Sequence, residues 1–107
     1  MALGEATVTN LGGQPSAPIF AARLQFAGDS TYIQANGTAD FDEYVAEAVG
    51  KPSVNIIEVI PGDCGVYIPQ YDHANGVLHI RDMSSAGARA GDGDYNGTTM
   101  NLTVLYQ

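Results

Sequence analysis

With 107 residues, 45% of them hydrophobic, the chain has the length of one domain and enough apolar side chains for one small core. Twelve acidic residues against four basic ones give a formal charge of −8, a field that repels phosphate backbones and anionic lipid, so binding to nucleic acid or to a membrane is not expected. No segment approaches the roughly 18 consecutive apolar residues of a membrane span, and the first residues lack a basic region followed by an apolar run, so export by a cleaved signal is not expected either.

Thirteen glycines and five prolines, spread along the chain, predict short elements joined by turns. From Met1 to Pro18 large apolar side chains are scarce, and only Thr7 to Leu11 resembles a strand. Residues 1–18 are therefore read as an arm that orders against something else or as a first strand, and residues 19–107 as a single β-rich domain. Phe20, Ala22, Leu24 and Phe26 alternate on one face of a half-buried strand. Gly28-Asp29-Ser30 supplies a turn, and Thr31 to Ala35 reads as a second strand ending at Asn36-Gly37.

One helix is predicted over about 41–49, where Phe41, Tyr44, Val45, Ala48 and Val49 share a stripe at helical spacing. Asp40 is placed to cap it, with Glu43 reaching back to complete a capping box, and Gly50 and Pro52 stop it. Val54 to Ile60 reads as a strand closed by Pro61-Gly62, with Val54, Ile56, Glu58 and Ile60 on one face. Gly65 to Ile80 reads as an antiparallel hairpin around Asn75-Gly76, a pair that tolerates the positive φ of a tight primed turn. Met83 to Gly97 reads as a long loop of small residues that is functional, mobile or held by a partner. Thr98 to Tyr106 closes the chain as a long strand with Met100, Leu102, Val104 and Tyr106 on one face. The fold class is mainly β, a small antiparallel β-sandwich or barrel-like domain with one short helix.

Little in the chain points to catalysis. Cys64 is the only cysteine, so no intrachain disulfide forms, and Asp63 beside it raises rather than lowers a thiol pKa. It is read as a structural thiol in a chain made in a reducing cytoplasm. Asp92, Asp94 and Asn96, followed by Gly97, match the first half of a calcium-binding loop, but Thr103 stands where the closing Glu belongs, so a polar turn is the preferred reading. His73 and His79 flank the hairpin turn without a third ligand at diagnostic spacing and are read as turn and surface histidines. Glu58, Asp63 and Asp72 offer no privileged carboxylate pair, and phosphate loop, serine elbow and Cys–His partnership are all lacking. No catalytic, cofactor-binding or metal residue is assigned, and a non-enzymatic protein is expected.

The strings Gly28-Asp29-Ser30-Thr31-Tyr32, Asn36-Gly37-Thr38-Ala39-Asp40-Phe41, Tyr67-Ile68-Pro69-Gln70-Tyr71-Asp72, Gly76-Val77-Leu78-His79-Ile80 and Asn96-Gly97-Thr98-Thr99 together resemble small structural proteins of tailed-bacteriophage particles, most of all those that decorate or cement capsids. The likeness runs from about Gly12 to the end and rests on turn chemistry. It implies a non-enzymatic homotrimer on the outer face of the capsid, assembled in the host bacterial cytoplasm, with the major capsid protein as partner. Its acidic character agrees with an exterior position, away from packaged DNA. Two contacts follow as expectations: Thr7 to Leu11 added to an exposed sheet edge of a neighbour, and the Met83 to Gly97 loop. The alternative is a neck, tail or fibre component that binds a receptor or carbohydrate through exposed Tyr32, Tyr67, Tyr71 and Tyr95.

Overall fold

A computed structural model describes residues 3–12 and 19–107, with the backbone alone at 10–12; the rest of the Met1 to Pro18 segment lies outside the described residues. The chain is mainly β, with two antiparallel sheets and one helix around a single core. The first sheet holds β1 (Thr7–Gly12), β2 (Phe20–Ala27), β3 (Ile56–Pro61) and β7 (Thr99–Tyr106) in the order β1-β2-β7-β3. The second holds β4 (Tyr67–Asp72), β5 (Val77–Asp82) and the two-residue β6 (Ala88–Arg89) in chain order. The architecture is that of a small β-sandwich.

The central pair β2 and β7 follows from strict alternation. Ala22 lies opposite Val104, Leu24 opposite Leu102 and Phe26 opposite Met100, all buried, so both strands present one apolar face to the core. Thr7–Gly12 pairs antiparallel with β2 of the same chain as the edge strand of its own sheet. Prolines sit at the edges of both sheets, Pro61 in β3 and Pro69 in β4, where a missing N–H leaves no gap in the ladder.

In β3 the expected alternation breaks. Ile56 pairs with Tyr106 but Glu58 with Leu105, so Ile57 is an extra residue in the strand. This bulge turns Val59 inward at 6% exposure and Ile60 outward at 49%, putting Ile56 and Val59 on the buried side together. The face of Ile56, Glu58 and Ile60 expected from simple alternation is thereby corrected.

Helix α1 (Phe41–Val49) occupies the predicted span and buries Phe41 and Val45 of its stripe. Phe41 meets Phe26 and Tyr71 at ring separations of 6.4 and 6.1 Å, and Tyr44 stands edge-on to Phe26 at 5.4 Å while its hydroxyl donates to the Gly4 carbonyl. Burial of this face supplies the stability that nine residues lack in isolation. The capping box does not form: Asp40 has φ 55° and its side chain makes no cap hydrogen bond. Gly50 ends the helix at φ 76°, and Lys51 N–H returns to the Ala46 carbonyl.

Two further expectations are corrected. Thr31 to Ala35 is not a strand: Tyr32 forms an isolated bridge with Gly93, and Thr38 forms another with Leu78. The chain turns inward here because the Tyr32 ring is fully buried and its hydroxyl accepts from Ile80 N–H at 2.9 Å. The stretch from Met83 to Gly97 is held by the chain itself. It contains a 3₁₀ turn over Met83–Ser85 capped by the Asp82 carboxylate, then β6, and then the Gly93 bridge and a bond from Tyr95 N–H to the Asp29 carbonyl. Asn75-Gly76 does close a hairpin, but through four residues, 73–76. Only Gly76 of the pair has positive φ (67°), and Asp72 accepts from Ala74, Asn75 and Gly76 around the loop.

Candidate functional site

The outer face of the β4-β5-β6 sheet gathers His79, Arg81 and Arg89, half of the chain's six His, Lys and Arg residues. Tyr67, Pro69, Tyr71, Leu78 and Ile80 face the core, so the strand period sends Ile68, Gln70, Asp72, Val77, His79 and Arg81 outward. Arg89 of β6 lies directly opposite Arg81 and completes this face. Beyond them Val66, Ile68 and Met83 are exposed at 50%, 37% and 56%, and Met83 N–H donates to the Val66 carbonyl.

His79 is only 5% exposed, which corrects the surface reading of this residue. The turn through Gly37 covers it so closely that a Cβ at Gly37 would stand 2.9 Å from His79 Nδ1. Gly37 also has φ 68°, so glycine is required there twice over. Among the described residues His79 Nδ1 has no hydrogen-bond partner, and Nε2 lies 3.7 Å from Asp72 Oδ2, beyond hydrogen-bond reach. Burial, and next the Arg89 charge, push the imidazole pKa down against the opposing pull of Asp72. Asp72 is held below the usual carboxylate range, first by the Asn75 side-chain amide, which donates at 2.8 Å.

Arg81 is fixed by neutral acceptors, with Nε donating to Gln70 Oε1 at 2.9 Å and Nη1 to the Gly87 carbonyl at 3.1 Å. Among the described residues, the only ion pair is His79 with Asp72, so no carboxylate neutralises either arginine. A concavity of about 460 Å³ lies against Asn36, Asp72, His79 and Arg89.

The other candidates are not brought together. His73 Nε2 lies 2.8 Å from the Ile57 carbonyl and ties the hairpin turn to β3. Asp92 accepts from Gln34 N–H and Asp94 from Asn96 N–H, so the calcium-like turn spends both carboxylates on backbone donors. Glu58 accepts from Val59 N–H and Asp63 from Gly65 N–H, each serving its own turn. Among the described residues, no three His, Cys, Asp or Glu side chains are grouped to hold a metal ion. The Cys64 sulfur exchanges hydrogen bonds with Asn101 N–H and carbonyl at 3.3 Å, and burial pushes its pKa up, which suppresses the reactive thiolate. Tyr32 is fully buried, and Tyr67 and Tyr95 are half-buried and meet edge-to-face at 5.2 Å, so the expected set of exposed aromatics is not present.

Strand alternation in β5 was enough to turn Arg81 outward. Nothing in the small-residue run Ala86 to Gly91 announces that Ala88-Arg89 forms a strand beside it, and that pairing creates the site. Comparison of the chain with protein-family models, curated proteins and solved structures finds no match.

The buried imidazole makes stability pH-dependent with a definite sign. Unfolded His79 takes up its proton near pH 6.5, whereas the folded residue resists protonation until lower pH. The unfolded state therefore binds more protons in that window, and stability falls as the pH drops below about 6.5. Asp72, held below the usual carboxylate range, stays ionised throughout this window, so the imidazole rather than its carboxylate neighbour contributes the slope. Urea titrations from neutral pH down to about pH 5 should show this loss in the wild type and a smaller one in His79→Gln. An equal slope in both proteins would remove the assignment.

Proposed function

We propose that the protein is a non-enzymatic structural component of a tailed-phage virion: a capsid decoration protein that binds the outer face of the assembled shell as a homotrimer, with the major capsid protein as partner. The observation that carries this reading is that the separate strings on which the resemblance rests are bonded to one another. Gly28 N–H donates to the Thr98 carbonyl, Thr38 hydroxyl to Asp29, Thr38 N–H to the Leu78 carbonyl, and Ile80 N–H to the Tyr32 hydroxyl, at 2.7 to 2.9 Å. These bonds join the strings into one contiguous framework, as a likeness carried by a single domain requires.

A protein that binds the assembled lattice and not its dissociated subunits stabilises the shell by mass action. Symmetric repetition lets modest contacts add up. Co-sedimentation with shells of the phage that encodes the chain tests this directly: the protein should pellet with intact shells, saturate at a fixed ratio to the capsid protein, and stay in the supernatant with dissociated subunits. Failure to pellet with intact shells would sink the reading.

A further inference from the structure

We propose that copies of this chain associate head to tail, the Arg81–Arg89 face of one receiving Glu43 and Glu47 of helix α1 from the next. Arg81 and Arg89 face each other across β5 and β6, an arrangement that repels. They are two of only four basic residues in a chain with twelve acids, yet no carboxylate pairs with either among the described residues. The helix carries the opposite conflict. Glu43 and Glu47 are exposed one turn apart, which repels, and the last turn of α1 holds no basic residue to offset them. Lys51, the next cation along the chain, is instead set over the Phe20 and Tyr106 rings at 4.2 and 5.6 Å.

Each surface is unfavourable alone, and each has the charge that relieves the other. Ile68, beside Arg81 in the ladder, and the exposed Val66 and Met83 border the arginines with apolar area, which suits a protein surface better than a free phosphate. At a net charge of −8, two copies repel at long range, and a local contact of opposite sign offsets that repulsion. The two surfaces differ, so the contact is heterologous, and it builds a ring when the rotation closes. Closure at three copies rests on the decoration reading above; the contact itself does not.

Sedimentation velocity without shells tests the contact. Wild type should sediment as a closed oligomer at micromolar concentration. Arg89→Glu, whose replaced side chain makes no hydrogen bond among the described residues, and the pair Glu43→Lys with Glu47→Lys should each weaken association by about tenfold or more. The fourfold exchange, Arg81→Glu and Arg89→Glu with Glu43→Lys and Glu47→Lys, should restore it, with thermal melts confirming that every variant is folded. A wild type that stays monomeric overturns the proposal. So does an oligomer that dissociates on Arg89→Glu but survives the helix pair, because the arginines would then receive another acidic partner. An oligomer of the expected charge dependence that fails to pellet with shells would sink the decoration reading and leave this contact standing.

Discussion

Replacing Tyr32 with alanine is expected to lower the free energy of unfolding by about 4 kcal/mol, and replacing it with phenylalanine by about 1 to 2 kcal/mol. The ring is completely buried and stands edge-on to Tyr95 at 5.4 Å, so its removal leaves a large cavity. The hydroxyl has a separate role. It accepts from Ile80 N–H at 2.9 Å inside the core, and phenylalanine keeps the ring while leaving that N–H without a partner. Burial pushes the phenol pKa up, so the hydroxyl remains protonated across the accessible pH range. Since whole domains are stable by only about 5 to 15 kcal/mol, the alanine variant sits near the limit of folding. Urea denaturation of both variants separates the two terms. A loss under about 1 kcal/mol for alanine would show that Tyr32 does not pin this segment, and equal losses for both variants would remove the ring's share.

The second large effect is expected at Asp29, where alanine should cost about 3 kcal/mol. The residue is 4% exposed, and its carboxylate accepts from Thr31 N–H at 2.9 Å, from the Thr31 hydroxyl at 3.3 Å and from the Thr38 hydroxyl at 2.8 Å. Alanine leaves the Thr38 hydroxyl, itself 2% exposed, with a lost acceptor in a dry site. Asparagine retains one carbonyl oxygen and should cost about 1 kcal/mol, since the Thr38 hydroxyl can turn to accept from the amide. A double-mutant cycle with Thr38→Val measures the buried bond alone, and a coupling near zero would show that the two side chains act independently. Tyr32 and Asp29 thus hold the two ends of the segment that roofs His79. Their loss should also expose the imidazole and flatten the pH dependence described above.

The legibility of this chain differs sharply between its elements. β2 and β7 could be read directly, because apolar and polar residues alternate through Ala22 to Phe26 and Met100 to Val104 and the structure pairs those faces one against the other. Helix α1 was readable from its stripe, though its cap was not: whether Asp40 uses its side chain or its backbone depends on how the preceding turn enters, which Thr38 decides by bonding Leu78. Thr31 to Ala35 has strand composition and no strand. Its pattern is set by Tyr32 entering the core, and a buried aromatic on a turn looks locally the same as one on a ladder.

The candidate site was legible only in pieces. Strand alternation puts His79 and Arg81 on one face, but His79 reads as a surface residue in the sequence because its cover, Gly37, comes from 42 positions earlier in the chain. The Met83 to Gly97 run carried no periodic signal, and contacts with β5 and with the 28–38 segment give it shape. Sequence by itself determined the β class, the single helix, the hairpin and the acidic surface, because periodicity, turn chemistry and charge act between near neighbours along the chain. The tertiary structure alone decided the β3 bulge, the burial of His79 and Tyr32, and the pairing of Arg81 with Arg89. Those depend on which distant segments meet, and that is set by packing one shared core rather than by any local preference.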